Sequence, residues 1–349
     1  MVINTWNYTK PNLHAWHVLN AKPGGLNLTR EAVVQGCSMC EHQQCGRLLG
    51  RGSAPDASGH ITLEAALMDG SNLRLGSVAA MPDIRDAIGV ARQVLEHTKH
   101  TLLAGAGATR FAKALGHTAE RLSSPVTVDA LYRWQHDRCQ PNYWQNVRPP
   151  PFSSCGPYMR VPQPKTGAYS WPRQEYPIEI GHHDQIAMLA IDAKGHMHVG
   201  STSTGSAFRI AGRAGDSAVP GAGIYADNEV GAALVSGDGD VMMRLLPALL
   251  AVETLRAGRK PSDTAVHVLH RLLHHHTEFN GGLVVVNRLG QYAAACSGLD
   301  EFHFVVSHQK NQTLARVERV ECIDRREFVD GGPKGTFKSK ATSGHTNLS

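Results

Sequence analysis

The chain lacks any apolar run approaching the roughly 18 residues that a membrane-spanning helix requires, so no membrane partner is expected. It also lacks blocks of like charge. The charged residues, 19% of the total, are mixed along the chain, the formal charge is a mild +5, and no basic stretch is interleaved with aromatics. Nucleic acid is therefore not an expected partner either. A third absence is local: between Gly181 and Gly200 there is no Ser, Thr or Cys, so that stretch carries no side-chain nucleophile. What is present is the material of a folded body, 349 residues of which 42% are hydrophobic, ample for a well-buried core.

Periodicity supplies a coarse outline. Helical patterns run through Arg30 to Val34, Asp83 to His97, Thr109 to Leu115, Met242 to Arg256 and Ser262 to His276. Strand-like runs occupy Ile186 to Asp192, Met197 to Ser203, Leu283 to Asn287 and Gln291 to Ser297. The region from about Pro149 to Ile180 is rich in Pro, Gly and Ser and reads as an irregular, exposed connector, dividing a first half (1–184) from a second (185–323). Residues 324–349, with Gly331, Gly332, Pro333 and several lysines, are expected to be disordered.

The most informative stretch is GHHDQIAMLAIDAKGHMHVGSTSTGSAFRIAGRAGDSAVPGAGIYADNEVGAALVSGDGD, Gly181 to Asp240. With VVQGCSMCEHQQC (Val33 to Cys45), TLEAALMDG (Thr62 to Gly70), AIGVARQVLEHTKHTLL (Ala87 to Leu103) and RCQPNYWQNV (Arg138 to Val147), it resembles glycosylasparaginase and its asparaginase relatives. The likeness extends from about Val2 to about Ile323. It implies an α+β, four-layer αββα sandwich of the N-terminal-nucleophile amidohydrolases, without cofactor or metal. In that family a His-Asp-Thr sequence cleaves itself before the threonine, which becomes the catalytic nucleophile.

Here His183 and Asp184 are followed by Gln185. A carboxamide nitrogen has its lone pair delocalised and its carbonyl oxygen attacks poorly, so Gln185 supports neither the N→O acyl shift of self-cleavage nor attack on a substrate amide. An uncleaved chain also lacks the freed α-amino group that serves as general base. No catalytic residue is therefore assigned. A second departure lies upstream, where the family reads Gly-Gly-Ser-Pro-Asp and this chain has Gly52, Ser53, Ala54, Pro55 and Asp56; the supporting serine is Ala54 unless Ser53 takes its place.

The remaining pocket pattern is kept. By resemblance, Arg213 would hold a ligand carboxylate and Asp216 its ammonium, within the loop that includes Ala214 and Gly215. Ser236 and Gly237, followed by Asp238 and Gly239, stand where the family forms an oxyanion hole. Ser203 falls where a second active-site threonine is expected, and Trp6 matches the tryptophan lining the sugar side. Arg213 and Asp216 are expected to keep these roles without involving Gln185. Taken singly, glycine-flanked Arg and Asp often just fix a loop, and a tryptophan is often plain core.

Seven cysteines bear on compartment. The resemblance implies the pairs Cys40–Cys45, Cys139–Cys155 and Cys296–Cys322, with Cys37 left as a thiol. A zinc site at Cys37, Cys40 and Cys45 is the competing reading, weakened because no second Cys-x-x-Cys follows. Sequons at Asn7, Asn27, Asn311 and Asn347 fit a secreted or lysosomal glycoprotein. Met1-Val-Ile-Asn-Thr-Trp6 resembles a first mature strand rather than a signal peptide, so either a leader precedes this chain or the protein is cytoplasmic; the cysteines favour the former. His267, His270 and His274 share a helix face, with His275 and His276 following, which reads as a solvated face more readily than as a metal site.

The leading expectation is thus an inactive, uncleaved asparaginase-like protein, commonly a homodimer in this family, that binds a small amino-acid or glycoasparagine ligand weakly. The alternatives are an active amidohydrolase with an unorthodox nucleophile and a structural dimer partner of an active relative.

Overall fold

The computed structural model describes residues 1–21, 27–45, 49–162, 185–309 and 314–323, and the backbone of Ser343 and Gly344. The described elements run β1 (Val2–Thr5), α1 (Thr9–Leu19), α2 (Leu28–Gln43), β2 (Thr62–Asp69), β3 (Leu75–Pro82), α3 (Ala87–His97), β4 (Leu102–Ala104), α4 (Gly105–Ala114) and α5 (Pro125–His136). A short hairpin, β5 (Val147–Arg148) and β6 (Met159–Arg160), precedes β7 (Gln185–Ile191) and β8 (Met197–Ser203). There follow β9 (Ile224–Asp227), β10 (Gly231–Gly237), α6 (Gly239–Leu245), α7 (Pro247–Arg256) and α8 (Pro261–His275). The last strands are β11 (Gly281–Asn287), β12 (Tyr292–Ser297), β13 (Glu301–Ser307), β14 (Arg316–Glu321) and β15 (Ser343–Gly344).

Two sheets form the centre, an eight-stranded one in the order β14-β13-β1-β7-β8-β2-β3-β4 and a five-stranded one in the order β15-β12-β11-β10-β9. The layering follows from side-chain alternation. Along β7, Ala187, Leu189 and Ile191 join the core between the sheets, while Ile186, Met188 and Ala190 pack against α1, α2 and α3 on the other face. Along β10, Ala232 and Leu234 face the first sheet, and Ala233 and Val235 pack under α7 and α8. Strands apolar on both faces can lie only between two covering layers, which makes this the four-layer αββα sandwich of an α+β protein.

Local chemistry explains where the outline shifts. The helical pattern at Arg30 to Val34 extends over all of α2, whose N-cap Asn27 accepts from the Arg30 backbone N–H. The single helix expected over Met242 to Arg256 is broken in two: Leu246 adopts φ 47°, and Pro247, which lacks an N–H, opens α7. All three disulfides form as the resemblance implied, with Cys37 a buried free thiol. The Cys40–Cys45 bond takes two of the three sulfurs a zinc site would have used, which overturns that reading.

The connector is described as far as residue 162; residues 163–184 lie outside the described residues. In the tail, Ser343 and Gly344 pair with Ala293 and Tyr292, so the expected lack of structure does not extend to them; residues 324–342 and 345–349 lie outside the described residues.

Close backbone approach makes one glycine indispensable to this layering. A methyl group at Gly76 in β3 would overlap the Ala91 carbonyl and the Leu95 amide of α3, neither of which can give way as a flexible side chain would. Gly76→Ala is expected to lower the unfolding free energy by about 3 kcal/mol, measured by urea denaturation. Gly107→Ala, on the exposed face of α4 with nothing nearer than the Arg110 guanidinium at 3.9 Å, is expected to raise it by about 0.5 kcal/mol. Equal effects at the two positions would contradict the packing argument.

Candidate functional site

Strand register builds the site. Gln185 of β7 pairs with Ser203 of β8, and Ser203 pairs with Glu64 of β2. Alternation from Ala187, Val199 and Ala66 turns all three side chains toward the second sheet. They form a polar row at the strand ends, each at most 5% exposed. Thr202 points the opposite way and donates to Glu41 Oε1 at 2.5 Å, under the helical layer. Burial first, then the carboxylate of Asp86, pushes the Glu41 carboxyl well above its usual range.

The loop after β8 folds over this row. The Gly215 N–H donates to Glu64 Oε2 at 2.6 Å, which anchors the turn that presents Arg213 and Asp216. Asp216 begins a single 3-10 turn, Asp216–Ala218, and its Oδ2 accepts from Gln185 Nε2 at 2.6 Å. Gln185 Nε2 also lies 3.5 Å from the Val235 carbonyl, which brings the end of β10 to the same point. Arg213 Nη2 donates to Asp240 Oδ2 at 3.0 Å. Ala214, between them, is half-buried. Asp238 caps α6 by accepting from the Val241 N–H at 3.3 Å.

Glycines let these groups approach. A Cβ at Gly239 would overlap Asp216 Oδ1 and lie 2.9 Å from Arg213 Nη2, and one at Gly223 would lie 2.9 Å from Asp216 Oδ2 and 3.0 Å from Gln185 Nε2. On the opposite wall, Trp6 Nε1 donates to Ser236 Oγ at 3.0 Å and the Trp6 ring stands edge-on to Phe302 at 5.1 Å. Gly237 closes β10 opposite Gly281. The Ser203 hydroxyl oxygen accepts from the Gly205 N–H at 2.8 Å.

The loop that carries Ala54 is stitched to the same region. The Gly50 N–H donates to Thr204 Oγ1 at 3.0 Å, next in sequence to Ser203, and Phe208 N–H donates to the Pro55 carbonyl at 2.7 Å. Ala54 is half-buried and Ser53 is buried.

The fold therefore gathers Trp6, Gln185, Ser203, Arg213, Ala214, Gly215, Asp216, Ser236, Gly237, Asp238 and Gly239 at one end of the sandwich. It joins two of these residues directly, since Asp216 accepts a hydrogen bond from Gln185. It also adds Glu64 and Asp240. Glu64 could have been noticed as a carboxylate enclosed by the apolar residues of the strand TLEAALMD, whose other acid, Asp69, ends it. Asp240 carries no such signal, because an acidic residue in a helical first turn is ordinary.

Among the site carboxylates, burial pushes Glu64 up against the pull of Arg213. Burial, with Glu64 adding to it, pushes Asp216 up to about 7, although Arg213 and the Gln185 hydrogen bond oppose the shift. Burial alone would lower the Arg213 guanidinium, but Glu64 and Asp240 more than offset it and hold it charged.

A four-layer sandwich with a polar row at the ends of its central strands, facing an Arg–Asp loop, defines the class as an amidohydrolase scaffold of the N-terminal-nucleophile kind. A model of the Asparaginase_2 family, described as asparaginase, matches residues 14–315, and the chain belongs to that family. It is 58% identical over 339 residues to an L-asparaginase-like protein of Drosophila persimilis, covering 97% of this chain and 73% of that one. An L-asparaginase-like protein of Drosophila melanogaster is 56% identical over 340 residues, covering 97% and 84%. One of Drosophila ananassae is 55% identical over 341 residues, covering 97% and 89%.

The raised Asp216 carboxyl has a signed consequence. Its folded value lies above its unfolded one, so folding takes up a proton, and the associated stability is present below about pH 4 and lost as the pH rises through about 7. Asp216→Asn removes that titration and keeps an acceptor for Gln185. In urea unfolding between about pH 5 and pH 8.5, the stability difference is expected to move in favour of the variant by roughly 2 kcal/mol. A difference that stays constant with pH would contradict the assignment.

Proposed function

We propose that this asparaginase-family chain is a catalytically degenerate member, one that stays uncleaved and binds a small amino-acid-like ligand weakly. The observation that supports the reading is the identity and engagement of Gln185. At the head of β7, where the resemblance calls for a nucleophilic hydroxyl, the side chain is a carboxamide whose nitrogen is bonded to Asp216 at 2.6 Å. Such a group offers no nucleophile for an acyl transfer, and an intact peptide bond before it offers no amine base. Arg213, Asp216, Ser236 and Trp6 remain as groups able to hold a ligand's polar ends.

A secretory route, lysosomal or extracellular, is part of the same proposal. It is supported by three disulfides, which persist in oxidising compartments, and by the exposed sequon residues Asn7 and Asn27. Asn311 and Asn347 lie outside the described residues.

Freshly expressed protein is expected to run as one band near full length on denaturing electrophoresis, whereas fragments meeting at the bond before Gln185 would overturn the uncleaved reading. Hydrolysis of L-asparagine or glycoasparagine is expected to be undetectable, because loss of the nucleophile in a covalent mechanism costs on the order of a millionfold in kcat. Turnover that survives purification and disappears in Arg213→Ala would favour an active enzyme. Gln185→Thr is expected to cleave partially, and Gln185→Thr with Ala54→Ser more completely. Full cleavage of the single variant would remove any role for position 54.

A further inference from the structure

A buried carboxylate must be supplied with donors, and the donor found here is part of the same chain. Asp216, 6% exposed, receives one N–H of Gln185 on Oδ2 at 2.6 Å. The same nitrogen reaches the Val235 carbonyl only at 3.5 Å, beyond a good hydrogen-bond length. One side of it carries no side chain: a Cβ at Gly223 would lie 3.0 Å from Gln185 Nε2, tighter than ordinary van der Waals contact. A nitrogen bearing several hydrogens, set between a carboxylate and a carbonyl and walled by glycine, is the environment that the amino or primary amide group of a small ligand requires.

Charge sharpens the preference. The guanidinium of Arg213, which would attract a ligand carboxylate, already donates to Asp240 and also faces the Glu64 carboxyl. Among the described residues no cationic side chain is hydrogen-bonded to Asp216, on which Arg213 acts only through space, and its hydrogen-bonding side-chain partner is the uncharged Gln185. The pocket accordingly favours the nitrogen end of a ligand over its carboxylate end.

We infer that the Gln185 carboxamide is a tethered occupant of a subsite for the amino or amide nitrogen of a small ligand, formed by Asp216, the Val235 carbonyl and Gly223, and that a free ligand enters only by displacing it. This rests on the proposed reading of the pocket as a place for amino-acid-like ligands. A tethered group competes at an effective concentration of about millimolar or above, and apparent affinity falls by the fraction of molecules in which the site is open. Shortening the side chain should therefore reveal binding that the natural chain masks. The same truncation leaves Asp216 without its donor, which increases its demand for an incoming amine.

The test titrates methylammonium, L-aspartate and, as a nitrogen-free control, succinate into three proteins by NMR: the natural chain, Gln185→Ala, and Gln185→Ala with Asp216→Asn. Gln185→Ala is expected to bind methylammonium and L-aspartate at least about tenfold more tightly than the natural chain, with succinate unimproved and the gain lost in the double variant. In the natural chain, saturating methylammonium is expected to shift the side-chain NH2 resonances of Gln185. Equal affinity in the natural chain and Gln185→Ala, with those resonances unmoved, would overturn the tethered occupant while leaving the ligand-binding reading intact. Absence of binding by both proteins would overturn the two together. Should Gln185→Ala fail to fold, Gln185→Val, which suits a strand, is expected to show the same gain, and the resonance shift in the natural chain provides an independent reading.

Discussion

Everything at the site depends on the burial of β7 on both faces and its hydrogen bonding along both edges. The strand lies between β1 and β8, with Ile186, Met188 and Ala190 under helices and Ala187, Leu189 and Ile191 against the second sheet. A slip of one residue would exchange these two sets and carry Gln185 from the inter-sheet face to the helical face. The packing of the six buried residues that follow thereby fixes the side chain of Gln185 at the head of the strand. The neighbouring strands contribute Ser203 and Glu64 to the same row through the same register.

The electrostatics follow from that placement. Glu64, Asp216 and Asp240 surround a single guanidinium, and two of the three carboxyls are raised by burial. A buried acid without an adequate partner holds its proton more tightly, and an amide donor from Gln185 supplies less compensation than a cation would. The same cluster that would suit an active site, where polar groups converge in a dry cleft, here closes on itself through Gln185. Family membership and the proposed loss of chemistry are compatible, because the fold depends on the strands and helices while a reaction depends on a few side-chain atoms at the site.

The division into strands, helices and layers was largely legible in the chain. Runs such as QIAMLAI and GGLVVV alternate or cluster as buried strands must, and the resemblance assigned the order of the layers and the three disulfides. The break at Leu246 was missed because the apolar period continues across it, although Pro247 marked the place. Glu64 was missed as a site residue because its importance comes from Ser203 and Gln185 lying beside it, and those neighbours are distant in sequence.

By itself the sequence determined the likeness to the asparaginase family and placed a glutamine where that resemblance calls for the nucleophile, since both are matters of residue identity and order. Only the tertiary structure decided what that glutamine does. The direction of its side chain depends on the register of β7, and its partner, Asp216, arrives from a loop that Gly215 anchors to Glu64 on a third strand. A contact between residues on separate elements is set by how those elements pack, and packing is a property of the whole core rather than of any local stretch of chain.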